Sequence, residues 1–467
     1  MRILSPPRRR PGRVWLLAAL LCALPAVVQA QPSALRSPEK AFQRFTLPNG
    51  LEVIVIQNHF VPLVTIEIAV RNGSFTEGPE YAGLSHLYEH MFFKANEKYP
   101  TVSAFQARMN AIGALYNATT REEVVYYYFY LPSKNLAQGM EFMSDAIQKP
   151  KFLPDELEKE REVVIGEFDR HESSPLFAFS REMDVATWGD LITRKQPIGQ
   201  RPVILSATPE KMRYIQHKYY IPNNSALFVA GDVDSAEVYK LAMKHFTSWK
   251  RGADPFKTDP PPMAAPLKEK KLVTVASPID YALVQYQWHG PSVGLDNKST
   301  YAADVFIYIL NQRQSRFQKR LVESGLCQGA SNGYYTQRYV GPISYSVTTT
   351  SGRIEEARRA LWEEIQAFDS PDYFTDEELE SSKTHLRMES LYESEETSEW
   401  VNTPAFWWST TGLDYYVGYI DNLAKVTRED VQAYIRKYVK GKNYVLGITT
   451  NASALRAANL NPKEVLQ

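Results

Sequence analysis

Residues 84–93 read LSHLYEHMFF, which places two of the chain's eight histidines, His86 and His90, four positions apart with Glu89 between them. On a helix, positions i and i+4 stand one turn apart on the same face, so the two imidazoles offer two corners of a tetrahedral zinc site. The neighbouring Glu89 carboxylate supplies a base able to take a proton from a metal-activated water. The arrangement is H-x-x-E-H, the inverse of the more familiar H-E-x-x-H. Taken alone it leaves a second reading open, in which two buried histidines are satisfied by hydrogen bonds.

A catalytic zinc needs a third protein ligand and an open fourth position. The best source is the segment PDELEKEREVVIGEFDRHE, where Glu160 and Glu167 lie seven apart, two helical turns along one face. Val163 and Val164 fall between them, so this face is expected to turn inward, an unusual setting for two carboxylates unless a cation meets them. Glu156, Glu158 and Glu162 read as the solvated side of the helix, and His171 as incidental to it.

These residues need elements to position them. Leu84, Leu87 and Met91 recur at helical spacing around the histidines, with no proline to interrupt. Pro154 and Asp155 start the acidic helix. Upstream, Asn49-Gly50 between two apolar runs signals a hairpin, and Val64, Ile66, Ile68 and Val70 alternate on one face of a strand. The segment RGADPFKTDPPPMAAPLKEKK, rich in proline and lysine, reads as an extended linker. On either side of it the chain repeats itself. Phe105, Gln106, Arg108 and Gly113 meet Phe317, Gln318, Arg320 and Gly325 at a constant offset of 212, and FLPDELEKE is answered by YFTDEELES. Each half has strand-like runs, then an amphipathic stretch, then a long charged helix, which predicts a duplicated α+β domain.

The totals set limits. The 53 basic and 53 acidic residues balance, so nothing points to nucleic acid or an anionic membrane as partner. Arginines at 8, 9, 10 and 13 precede an apolar run from Val14 to Val28, followed by Val28-Gln29-Ala30; this predicts a signal peptide, residues 1–30, cleaved after Ala30. Only Cys327 would then remain, so an exported chain without an internal disulfide suits a bacterial periplasm. No later stretch is apolar enough to span a bilayer, so no membrane association is expected after cleavage.

On HLYEH, on EREVVIGE 70 residues later, and on the duplicated domain, the chain resembles the pitrilysin or insulinase family of zinc metallopeptidases, which includes the mitochondrial processing peptidase. The resemblance implies two homologous domains, each a mainly antiparallel, mixed β-sheet flanked by helices, together forming half of a clam-shell chamber. It divides the chain into an N-terminal zinc-binding peptidase domain at 40–252, a linker at 253–270 and a homologous domain without the zinc motif at 271–462. It makes Glu167 the third ligand to a single Zn2+, with His86 and His90, and Glu160 a support that orients the site. It also implies that LYNATTREEVVYYYF contains an edge strand where Asn117, Ala118 and Thr119 pair with a substrate peptide backbone. Glu89 would take a proton from the activated water and pass it to the leaving amine, hydrolysing peptides or unfolded segments, and activity should fall in acid because the ligands must be unprotonated.

The pattern breaks in the second half. The counterpart of the motif helix, STYAADVFIYIL, has no histidine. The family's arginine–tyrosine pair, which stabilises the oxyanion, keeps Arg320 here but has Cys327 where the tyrosine belongs. A thiol is a weak donor, and losing one oxyanion donor costs about 100-fold in rate. Tyr334 or Tyr335 are candidate replacements. The resemblance to short members that pair as dimers implies the zinc-bearing member of a heterodimer, whose related partner carries the arginine and tyrosine. The competing readings are a non-catalytic subunit and a peptide-binding scaffold with a structural zinc.

Overall fold

The computed structural model describes residues 42–393 and 399–466; the expected signal peptide lies outside them. Asn49-Gly50 turns the chain between β1 (Phe42–Thr46) and β2 (Glu52–Gln57), which pair antiparallel with Thr46 opposite Glu52. Gly50 takes a φ of 92°, a conformation that a side chain resists. With β3 (Leu63–Val70), β4 (Leu115–Thr120), β5 (Val125–Pro132) and β6 (Ser225–Gly231) they form a six-stranded sheet in the order β1-β2-β6-β3-β5-β4. The later strands β7 (Lys271–Ala276), β8 (Tyr281–His289), β9 (Gly329–Tyr334), β10 (Pro342–Thr350) and β11 (Val445–Thr450) form a second sheet, β7-β11-β8-β10-β9. Apart from β1 the two orders are the same, and each sheet has its one parallel pair in the same place, β2–β6 and β7–β11. The fold is therefore α+β, two mixed sheets of matching topology flanked by helices.

Whereas α5 (Phe177–Trp188) packs against the second sheet, the first carries α1 (Leu84–Phe92), α2 (Val102–Ala111), α3 (Leu136–Gln148) and α4 (Pro154–Glu172). Their apolar faces close a core that includes Val64, Ile66 and Ile68 of the sheet, Leu84, Leu87 and Met91 of α1, and Val164 and Phe168 of α4. Each such aliphatic side chain taken out of water contributes about 1.5–3 kcal/mol, which fixes the helices on the sheet.

Three expectations are revised. First, β3 is buried on both faces: Thr65, Glu67 and Ala69 are as covered as the alternating apolar set. The helix Glu399–Thr410, from the far end of the chain, supplies Val401, Ala405 and Trp408 to a second cluster with Ala69, Tyr126 and Phe228. Secondly, the counterpart of α2 is a helical turn, Arg316–Gln318, running into a π-helical turn, Lys319–Glu323, so the repeated residues do not form the same element. Thirdly, the proline-rich linker opens with a short helix, Pro255–Thr258, whose Phe256 ring stacks on Phe75 at 5.5 Å.

The two halves are joined by direct contacts. Phe179 and Met183 of α5 pack against Val445 of β11. The Glu123 carboxylate accepts the backbone N–H groups of Arg338 and Tyr339 at 2.8 and 2.9 Å. The Lys195 ammonium donates to the carbonyls of Tyr339 and Val340, both at 2.7 Å. Among the described residues no helix is long and apolar enough to cross a membrane.

Candidate metal centre and active site

The sharp start of α1 depends on two glycines. Gly83, with a φ of 94°, precedes the helix, and a side chain on it would meet the backbone of Ile198 and Gly199 at 2.9 Å. Glu77 then caps the helix: its buried carboxylate accepts the N–H groups of Gly83 and Ser85 at 2.7 and 2.6 Å. A carboxylate at a helix N-terminus satisfies free donors and complements the dipole. Below, Tyr88 stacks on Tyr220 and Phe92 on Tyr127, both with ring centroids 4.0 Å apart. With Leu84, Leu87, Tyr88 and Met91 locked in the core, His86, Glu89 and His90 must take the other side of the helix.

That side meets α4. The Glu167 carboxylate stands 3.5 Å from His86 Nε2 and 3.8 Å from His90 Nε2, and one ligand atom from each residue lies within 4.8 Å of the others. A tetrahedron with metal–ligand distances near 2 Å has edges of about 3.3 Å, so modest contraction of this group suits zinc. His86 is held neutral, its pKa pushed down to about 3 by burial and then by His90 and His171, which leaves an imidazole lone pair free for a metal. The three side chains fit the ion in number and type.

Glu160 completes the support. Its Oε2 lies 3.1 Å from His90 Nδ1, and its Oε1 is 2.6 Å from the Lys94 ammonium. A carboxylate accepts only, so the Nδ1 proton points at Glu160 and the Nε2 lone pair faces Glu167. Burial raises the Glu160 pKa, but the bonds from His90 and Lys94 outweigh it and hold the group below its ordinary value. Glu89 is half-buried, outside the three-residue group, and its Oε2 accepts the Thr120 hydroxyl at 2.6 Å. Burial raises its pKa, opposed chiefly by that hydroxyl.

Asn117, Ala118 and Thr119 all fall in β4, the edge of its sheet, paired only with β5 among the described residues. Leu115, Tyr116 and Asn117 are exposed beside it. Thr120, at the end of the same strand, ties that edge to Glu89.

Other sequence expectations land elsewhere. Arg320 donates to Glu364 at 3.0 Å and pairs with Glu363, both on the helix Ile354–Ala367, so it serves an ion-pair cluster rather than the histidine group. The Tyr334 hydroxyl donates to the Pro291 carbonyl and that of Tyr335 to Glu122, both at 2.9 Å. Cys327 is buried in the second core, its thiol pushed up to about 11 by burial. Val163 is exposed, so the inner face of α4 is defined by Leu157, Glu160, Val164 and Phe168 instead. Sequence reasoning missed Thr120, Lys94 and Glu77. Thr120 lies within the stretch that the resemblance singled out and Lys94 one residue past LSHLYEHMFF, but nothing in their spacing marked either.

Residues 52–188 match the profile of Insulinase (Peptidase family M16), and residues 206–386 that of the Peptidase M16 inactive domain. The chain belongs to the M16 peptidase family. An M16 relative, the uncharacterized zinc protease YmxG of Bacillus subtilis, is 24% identical over 76% of this chain and 85% of its own length. An uncharacterized zinc protease of Mycobacterium tuberculosis is 31% identical over 48% of this chain and 50% of its own length. The chain thus spans about half the length of the mycobacterial relative. Among solved structures, a protease from Helicobacter pylori superposes with a TM-score of 0.78 at 20% identity, covering 88% of this chain and 99% of the other. The first half of the periplasmic protease PqqL from Escherichia coli gives 0.76 at 19% identity, covering 91% and 95%. At these identities the superpositions establish a shared M16 fold.

Proposed function

We propose that the chain is a zinc-dependent endopeptidase acting on peptides or unfolded protein segments. The observation that carries this reading is the meeting of His86, His90 and Glu167 within 4.8 Å, with the Glu89 carboxylate on the same face of α1. When bound, zinc would supply Lewis acidity toward a scissile carbonyl and lower the pKa of a water. Glu89, braced by Thr120, takes the proton of the attacking water and returns it to the leaving amine. Its raised pKa favours that double role, since an acceptor nearer neutrality is also a better donor. Glu160 keeps His90 in the tautomer that presents Nε2. Backbone groups of Asn117, Ala118 and Thr119 hold the substrate as an added strand, which gives affinity with little demand on sequence.

We further propose that a related subunit completes the active site, because Arg320 is engaged by two glutamates and Cys327 stands where the resemblance requires a tyrosine. The location inferred is the periplasm, from the leader-like first 30 residues and the likeness to PqqL. Metal analysis tests the core of this reading. About one zinc per chain, lost in Glu167→Gln, supports it; a chain without zinc, or a Glu167→Gln variant that keeps it, sinks it.

A further inference from the structure

A cavity of about 780 Å³ takes His86 and Glu167 into its wall. One side is a single face of α5, where Phe177, Arg181 and Val185 follow one another at four-residue spacing. The opposite face of that helix, Phe179 and Met183, is buried against the second sheet, so packing sets the direction in which Arg181 points. Ile192 and Ile198 also line it. The wall is mixed: these apolar side chains share it with the carboxylates of Glu167 and Glu172 and with several basic groups.

Three strong cations reach it, and two are already engaged. Lys195 donates to the carbonyls of Tyr339 and Val340. Arg201 pairs with Asp169 at 2.6 Å and Glu172 at 2.7 Å. Asp184, on the other side of α5, accepts from Gln196. Arg181 has no hydrogen-bond or ion-pair partner among the described residues and remains exposed to the cavity. A guanidinium without a protein partner in a half-enclosed pocket is suited to a carboxylate, which it can grip through two parallel N–H bonds.

We propose that Arg181 is a specificity-determining residue, which selects peptides that bring a carboxylate into this cavity beside an apolar side chain. The inference rests on the peptidase reading above for the identity of the ligand as a peptide. The carboxylate comes either from an aspartate or glutamate side chain or from the free C-terminus of a short peptide. Both present the same group to the guanidinium.

Equilibrium binding separates these cases without relying on turnover. The zinc-loaded Glu89→Gln chain is titrated by fluorescence anisotropy with four peptides of one apolar framework. One carries an internal aspartate and an amidated end, one an asparagine and a free C-terminus, one an asparagine and an amidated end, and one a lysine and an amidated end. The expected result is about 10-fold tighter binding of one carboxylate peptide than of the neutral peptide, the arm that shows it naming the source. Arg181→Gln brings that ratio close to one, and Arg181→Glu inverts it in favour of a lysine-bearing peptide. A ratio near one in the parent, or a preference that survives Arg181→Gln, overturns the inference. Zinc-dependent cleavage without charge preference sinks the role of Arg181 and leaves the peptidase reading intact. Arg181-dependent binding without zinc-dependent cleavage by the parent, even beside a related arginine–tyrosine subunit, does the reverse.

Discussion

Replacing Glu160 by glutamine probes how the chain holds His90. The parent carboxylate uses one oxygen for His90 Nδ1 at 3.1 Å and the other for Lys94 at 2.6 Å, and Glu160 is only 6% exposed. Glutamine keeps the shape but has one acceptor oxygen, and its NH2 must face the second donor. If the oxygen serves Lys94, the NH2 confronts Nδ1 and drives the proton to Nε2, the nitrogen a metal needs. If it serves His90, the Lys94 ammonium loses its counter-charge in a half-buried site. Either way one charge-assisted hydrogen bond is lost, worth about 1.5–3 kcal/mol. Transmitted to the metal, that is about 10- to 100-fold weaker zinc binding. Lys94→Met leaves the carboxylate on His90 and should cost less. Competition against a chromophoric zinc chelator measures both, with circular dichroism to establish folding. A folded Glu160→Gln chain with the parent's zinc affinity would refute the reasoning.

Two further outcomes follow from contacts around α1. Thr120→Val removes the hydroxyl bonded to Glu89 while keeping the side-chain shape, and should lower kcat/KM by about 10-fold with zinc content unchanged; parent-like turnover in Thr120→Val would remove Thr120 from the account. Burial pushes Glu77 up to about 7 from an ordinary 4.5, against the backbone N–H groups of Gly83 and Ser85. The folded chain therefore holds that proton more tightly than the unfolded chain, so the stabilisation is full below pH 4.5 and is lost as pH rises through 7, on the order of 3 kcal/mol in all. Thermal melts of Glu77→Gln against the parent should show the variant gaining relative stability from pH 5 to pH 8 and then levelling; parallel pH profiles would contradict this.

The parts legible in the sequence were those written in short-range pattern. Leu84, Leu87 and Met91 mark the buried face of α1, and the i, i+4 spacing of His86 and His90 puts both on the opposite face. The offset of 212 between the halves reappears as two sheets of matching strand order. What pattern could not carry was contact between distant segments. The alternation in β3 reads as one buried face because nothing local announces that Trp408 arrives, more than 300 residues later, to cover the other. Val163 and Val164 read as a pair, yet a helix turns adjacent residues about 100° apart, and only Val164 faces inward. Arg320 sits at a family position, but its glutamate partners lie on a helix whose placement the sequence does not disclose. Thr120 and Lys94 became visible only when β4 and α4 were brought beside α1.

The central claim is that Glu89 is the proton acceptor of a zinc peptidase. The most direct test is hydrolysis of an unstructured fluorogenic peptide by the zinc-loaded chain, alone and with a related arginine–tyrosine subunit, comparing the parent with Glu89→Gln. The account predicts zinc-dependent turnover by the parent and its loss in Glu89→Gln, with the zinc retained. A Glu89→Gln chain that cleaves the peptide as fast as the parent would contradict it.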